Sequence, residues 1–167
     1  IGNEGGWVLH PTAGIGVSAP RLARNAPVHQ LTSHLALRFE MREGRTRMLV
    51  DAQDPPWRVI RAFPHPNGAS LVHLHNVSGG VVAGDHLALS IEVARGCKAQ
   101  VTSTSATRLY RHRPGSRDSE QQIQIRVAEE GLLEYLPDAL IPFAGSRHRQ
   151  HTSIALAEHA TLFWWEA

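Results

Sequence analysis

Apolar and polar residues alternate through most of this chain, and the period is that of strands. Leu35, Leu37 and Phe39 alternate with Ala36 and Arg38, as in a half-buried strand. Glu43-Gly44 predicts a turn and residues 47–50 the returning strand, so the two make a hairpin. Asp54-Pro55-Pro56 closes that unit. Residues 59–63 predict a short strand, and residues 71–75 predict another that runs into a glycine-rich loop.

Beyond the loop the pattern repeats. Leu87, Leu89, Ile91 and Val93 alternate, Ala94-Arg95-Gly96 turns, and Ala99 and Val101 continue. Ile123, Ile125 and Val127 then alternate, Glu129-Glu130-Gly131 turns, and Leu133 and Tyr135 continue. Ile154 and Leu156, the turn Glu158-His159-Ala160, and Leu162 and Trp164 form a third such unit. The units read as hairpin-like, with the first turn one residue shorter than the others. A strand–turn–strand unit recurring at this spacing marks stacked β-coils or a β-sandwich. No window carries apolar residues at helical spacing, so helix is minor. The pattern specifies an all-β protein and leaves sandwich and solenoid both open.

Residues 1–30 mix Gly, Pro, Ala and Arg without periodicity and read as a flexible leader. Residues 31–167 read as a single β-rich domain. The chain ends on Leu162-Phe163-Trp164-Trp165-Glu166-Ala167, an apolar strand with nothing after it to cover its edge, which predicts a domain incomplete at its C-terminus.

Composition narrows the chemistry. A length of 167 residues with 42% hydrophobic content suits one soluble core. No stretch approaches the roughly 20 apolar residues of a membrane span, and no signal or transit peptide stands at the start, so the expected location is cytoplasmic. The lone cysteine, Cys97, excludes an intrachain disulfide and a cysteine-rich metal centre, and reads as a small buried hydrophobe. Net charge is +2, and every cation but Lys98 is arginine. Arg108, Arg111, Arg113 and Arg117 cluster beside Tyr110, yet acidic residues intersperse the basic ones and no nucleic-acid motif is present. Nucleic acid and membrane are therefore not expected partners.

Two stretches stand out. In His75-Asn76-Val77-Ser78-Gly79-Gly80-Val81-Val82-Ala83-Gly84-Asp85, Gly79, Gly80 and Gly84 shape a tight loop that delivers one carboxylate. Thr102-Ser103-Thr104-Ser105-Ala106-Thr107-Arg108-Leu109-Tyr110-Arg111 reads as a polar strand whose hydroxyls outnumber its apolar residues. Its hydroxyls fit either a ladder on an exposed face or the lining of a water-filled passage.

These stretches resemble the urease accessory protein D family (UreD, also called UreH). The family's loop reads approximately His-x-x-Gly-Gly-Ile-Val-Gly-Gly-Asp, and its next signature, Thr-Thr-x-Gly-Ala-Thr-Lys-Phe-Tyr-Arg, is similar to residues 102–111. A third, Leu-Glu-Trp-Leu-Pro-Gln-Glu, resembles Leu133-Glu134-Tyr135-Leu136-Pro137-Asp138-Ala139. A fourth, an aliphatic strand ending near Trp-Glu, resembles Leu162-Phe163-Trp164-Trp165-Glu166. Four motifs in order along residues 35–166 outweigh any single glycine loop. The chain departs from the family in an extra residue after His75, where Asn76-Val77-Ser78 replaces Pro-Pro, and in Ser105 for Gly and Arg108 for Lys. At the Gln-Glu pair it carries Asp138 and Ala139 instead.

The resemblance implies a β-helical stack of strand–turn–strand coils and a non-enzymatic role in urease maturation. It implies binding to apo-urease with accessory proteins F and G, and help in delivering nickel to the urease active site. No nucleotide-binding Gly-x-x-x-x-Gly-Lys-Ser/Thr sequence occurs, so GTP-linked steps fall to a partner. Asp85, Thr107, Arg108, Tyr110 and Glu134 become candidates for the nickel route or for docking, with transient Ni²⁺ contact and no tightly bound cofactor. Asp85 has an ordinary structural role open to it as well, capping its turn. Eleven histidines invite a nickel site, since imidazole suits Ni²⁺. His73 and His75, two apart, share one face of a strand, whereas His148 and His151 approach only in a helix or turn. The competing reading is a β-helical carbohydrate-active enzyme with Asp85 and Glu134 as its paired carboxylates.

Overall fold

The computed structural model describes residues 32–167, so the leader expected at residues 1–30 lies outside the described residues. Those residues form thirteen strands and no helix. In chain order they are β1 (Thr32–Arg42), β2 (Arg45–Gln53), β3 (Trp57–Arg58), β4 (Ala62–Pro64), β5 (Ser70–Asn76), β6 (His86–Val93) and β7 (Lys98–Ser103). There follow β8 (Thr107–Leu109), β9 (Ser119–Val127), β10 (Leu132–Leu136), β11 (Leu140–Pro142), β12 (His148–Leu156) and β13 (Thr161–Trp164). No helix among the described residues is long and apolar enough to cross a membrane.

The expected hairpin is β1 and β2, joined through Glu43 and Gly44, both at positive φ as the twist of a two-residue hairpin turn requires. The later units are not hairpins. β6 and β7 belong to different sheets, and each pairs with its counterpart in the next unit. A five-stranded sheet runs β12-β9-β6-β1-β2, a six-stranded sheet runs β13-β10-β7-β5-β3 with β4 also on β5, and a small sheet pairs β11 with β8. All ladders between units are parallel: His86 lies opposite Glu120, Ser119 opposite His148, Lys98 opposite Leu132, and Leu132 opposite Thr161.

This register stacks like on like in the interior. Leu37, Ile91 and Ile125 form one buried row across the first sheet, and Phe39, Val93 and Val127 the next; Ile154 and Leu156 extend these rows onto edge strand β12, where they are exposed. Facing them across the core are Val72, Val101, Tyr135 and Trp164 in one row and Ala99, Leu133 and Leu162 in another. Each fully buried aliphatic or aromatic side chain contributes roughly 1.5–3 kcal/mol. The period-2 pattern survives because every coil-length segment buries one face only.

The three turns between paired units are equal in length. Cys97 N–H donates to Ala94 O at 3.1 Å, Gly131 N–H to Ala128 O at 2.9 Å, and Ala160 N–H to Ala157 O at 3.2 Å. Gly96, Glu130 and His159 occupy the same left-handed position in them, at φ 66, 57 and 55°. The first turn is therefore not shorter. Cys97 follows it fully buried, and desolvation pushes its thiol above the ordinary range.

Two further expectations fail locally. The strand expected at residues 59–63 survives only at its end, in β4, and residues 59–61 lie between β3 and β4, with the Val59 N–H turned to Gln53 Oε1 at 2.7 Å instead of a ladder partner. The polar strand expected at residues 102–110 breaks at residues 104–106, leaving β7 and β8 in different sheets. Thr104 N–H donates to Leu74 O at 3.1 Å, and Thr107 N–H to Ala139 O at 3.0 Å, so the two sides of the break are bound to different neighbours.

Candidate functional site

The glycine loop and the end of the polar stretch pack directly against each other. Val81 N–H donates to Arg108 O at 2.8 Å, and Tyr110 N–H donates to Val81 O at 2.9 Å, a parallel bridge that seats buried Val81 against Leu109. Gly80 passes so near that a Cβ would stand 2.6 Å from both Arg108 O and Tyr110 Cε2. Gly79, Gly80 and Gly84 all have positive φ, and Gly84 turns the chain inside residues 82–85. Ser78 Oγ closes the near side by donating to Gly80 O at 2.7 Å, and Tyr110 Oη reaches Gly79 O at 3.4 Å. Tyr110 also meets Phe143 edge-on, with ring centroids 5.4 Å apart.

Asp85 is buried at the far end of the loop. Its carboxylate accepts from Val82 N–H at 2.9 Å, its own N–H donates to Val82 O at 3.1 Å, and its carbonyl accepts from Glu120 N–H at 2.8 Å. The turn-capping role is thus occupied. Arg108 holds the loop through its backbone carbonyl and leaves its side chain exposed.

The third and fourth motifs join the second. Thr102 Oγ1 donates to Leu136 O at 2.7 Å; Ser103 Oγ donates to Asp138 Oδ2 at 3.0 Å while accepting from Asp138 N–H at 2.7 Å. Tyr135 packs on Trp164 at 4.9 Å between ring centroids, and Trp165 N–H donates to Tyr135 O. The hydroxyls therefore fasten neighbouring segments together rather than forming a free ladder.

A cavity of about 320 Å³ opens where these motifs meet. Ser103, Thr107, Tyr135, Asp138 and Glu166 reach it from the motifs, while Trp57, Gln121 and Gln150 complete much of the wall. Gln150 hydrogen-bonds Glu166. Burial first, and then the Glu166 charge, push the Tyr135 phenol well above its ordinary range, so it stays protonated. The Trp57 indole N–H is buried and meets no acceptor among the described residues. The wall is mostly apolar, from Trp57, Leu74, Tyr135, Pro137 and Leu140, with a minority of hydroxyl, amide and carboxylate oxygens. Oxygen donors of this kind bind a borderline divalent cation less tightly than imidazole or thiolate clusters do.

The other candidates stand apart from this cavity. Glu134 lies on the solvent side of β10, between inward-pointing Leu133 and Tyr135, as alternation requires. Asp85 is buried just before β6 in the other sheet, while Glu134 faces outward from β10, so the two carboxylates are not brought together as a catalytic pair. His73 and His75 do share one face: His73 meets Phe63 edge-on at 5.8 Å, and His75 Nδ1 lies 3.4 Å from Thr104 Oγ1. No group of three or more His, Cys, Asp or Glu among the described residues gathers as metal ligands. His148 and His151 sit on a strand and point to opposite faces.

The sequence reading missed three features. Ser103 and Asp138 are 35 residues apart, with no local signal to link them. Gln121 was legible, since it falls in the inward phase of Ile123 and Ile125 and is buried there. His148 falls in that phase on β12; Ser119 Oγ approaches its Nδ1 at 2.9 Å, its Nε2 is buried without a partner among the described residues, and burial lowers its pKa.

An all-β chain whose glycine loop is locked onto β8, and whose three other motifs wall one cavity, agrees with the comparisons to known proteins. The UreD urease accessory protein family matches residues 31–167. The urease accessory protein UreD of Herpetosiphon aurantiacus is 49% identical over 139 residues, covering 83% of this chain and 48% of that protein. Those of Deinococcus radiodurans (39% identical, 72% of this chain and 43% of that protein) and Halalkalibacterium halodurans (35%, 81% and 50%) match as well. The chain belongs to the UreD family of urease accessory proteins. It spans about half the length of these curated relatives.

Proposed function

We propose that this chain serves urease maturation as a non-enzymatic scaffold and conduit. It would bind apo-urease together with accessory proteins F and G in the cytoplasm and help nickel reach the urease active site. The observation that carries the reading is the packing of the four family motifs: the glycine loop is locked onto β8, and β8, β10 and the residues at 166–167 wall one cavity that sets a few oxygen donors among apolar side chains. The parallel ladders between units support reading them as successive coils of one β-helical stack. In that stack Gln121, Gln150, Ser103 and Thr107 add polar groups to a cavity wall that is otherwise mostly apolar, and those groups suit transient contact with Ni²⁺ as cargo. Thr107 belongs to this lining; Asp85, Arg108 and Tyr110 fix the loop beside it; Glu134 belongs to a docking surface. His73 and His75 would contribute at most a weak, transient nickel contact.

The test is the nickel content of urease expressed with its accessory genes, with and without the full-length gene for this protein. Nickel per urease collapses without the gene if the reading is right, while chemically loaded urease remains active. Unchanged nickel content overturns it.

A further inference from the structure

Arginine is left uncompensated in one groove of the molecule. Arg38, Arg42, Arg95, Arg126 and Arg149 each meet a carboxylate. Arg45, Arg47 and Arg61 meet none among the described residues, yet all three line one groove of about 330 Å³, with His65 beside them. The groove runs between β2, the edge strand of the five-stranded sheet, and the turn that joins β4 to β5, away from β12 and β13. No acidic residue lines it. Glu40, opposite Arg47 in the ladder, is held by Arg38 and Arg42, and Glu43 in the hairpin turn pairs with none of the three. Lys98, whose N–H donates to Thr46 Oγ1 at 3.0 Å, adds another basic residue next to the floor.

The groove has fixed walls. Its floor is the buried pair Thr46 and Ser70, and both bind the walls together: Thr46 N–H donates to Gly68 O at 3.3 Å, and Ser70 Oγ donates to Thr46 O at 3.1 Å. The far wall is held by its own turn, where Gly68 N–H donates to His65 O and Ala69 N–H to Asn67 Oδ1, both at 3.0 Å. The Arg61 guanidinium stands over the Phe63 ring, 4.6 Å from its centroid, a contact that orients it. Arg45 and Arg47, two apart on β2, share one face and stand roughly 7 Å apart along the strand. Thr46 directs its N–H and carbonyl away from β1, so by alternation Met48 does the same, and no strand pairs with β2 on that side. An extended chain with carboxylates at alternate positions matches both the open edge and the arginines, which favour planar carboxylate contacts. Residues 1–31 of this chain do not have that charge: Glu4 is their one acid, against Arg21 and Arg24.

We propose that this groove docks an acidic, extended segment of a partner protein, with Asp or Glu at alternate positions set against Arg45 and Arg47 and a further carboxylate on Arg61. The test uses the full-length protein by itself and a short fluorescein-labelled peptide of alternating Glu and Ala. The peptide binds, and the triple variant Arg45→Gln/Arg47→Gln/Arg61→Gln lowers its affinity by at least about tenfold. The control Arg113→Gln/Arg117→Gln/Arg147→Gln removes the same charge elsewhere and leaves the affinity nearly unchanged. A photo-crosslinking residue at Pro64, on the groove wall, captures the peptide. Circular dichroism verifies that the variants fold. No binding, equal losses in the two triple variants, or capture from position 64 of only the same chain or a second copy overturns the docking site. Inorganic phosphate or a single-stranded oligonucleotide that displaces the labelled peptide better than unlabelled peptide does makes the groove a phosphate site and overturns it as well. Urease is absent from every arm, so failure here leaves the maturation reading standing, and failure of that reading leaves this site standing.

Discussion

Gly80 lies against Tyr110 so closely that a methyl group on it would come within 2.6 Å of the ring's Cε2 and of Arg108 O. The contact joins two motifs some 30 residues apart and fixes where the loop sits. Gly80→Ala must push β8 or the loop aside, at a cost of about 1–3 kcal/mol. Removing the ring with Tyr110→Ala does not rescue it, because the Arg108 carbonyl remains in the way. Thermal melts of the single and double variants check this; full recovery in the double variant would show that only the ring matters.

His148 supplies a pH dependence. Burial holds its pKa below the ordinary 6.5, so between the two values the unfolded chain binds the extra proton and the folded chain does not. The contribution of this residue to stability is therefore intact above about 6.5 and falls as the pH drops below it. His148→Gln removes the titration while keeping polar atoms beside Ser119 and flattens the melting temperature between pH 5 and 7. An unchanged slope would assign that acid sensitivity to other groups.

Glu130 and His159 hold the left-handed conformation that Gly96 holds in the equivalent turn. A side chain there costs roughly 1–2 kcal/mol, partly offset by the entropy glycine loses on folding. His159→Gly and Glu130→Gly each raise stability by up to about 1 kcal/mol, and Gly96→Ala lowers it. Denaturant midpoints on the three variants decide the matter.

The strands and their faces were legible because each unit buries one side only, so Leu87, Leu89, Ile91 and Val93 announce themselves by period 2. Partnership was not. Alternation says that β6 has an inward face but does not say whether it pairs with β7 or β9, since both pairings bury the same residues. The site was legible as motifs, and the glycine loop and β8 indeed meet. Its polar contacts were not: Ser103 with Asp138 and Ser119 with His148 depend on the parallel register, which no local pattern encodes. The break at residues 104–106 was hidden for the same reason, because hydroxyl residues suit both a strand and the bend between strands.

Asp85 separates two roles that the loop combines. Its carboxylate caps the turn through Val82 N–H, which any acceptor of the same shape can do, and it also carries a charge close to the interior. Asp85→Asn keeps an acceptor oxygen, so the loop holds and stability falls less than in Asp85→Ala, which strands the Val82 donor at about 1–3 kcal/mol. If the carboxylate only caps, urease nickel content follows stability across the pair, with Asn near the parent and Ala well below it. If the charge itself contributes to nickel transfer, Asn falls as far as Ala despite its intact fold. Melting temperature and nickel per urease, measured on the same two variants, place Asp85 in one role or the other.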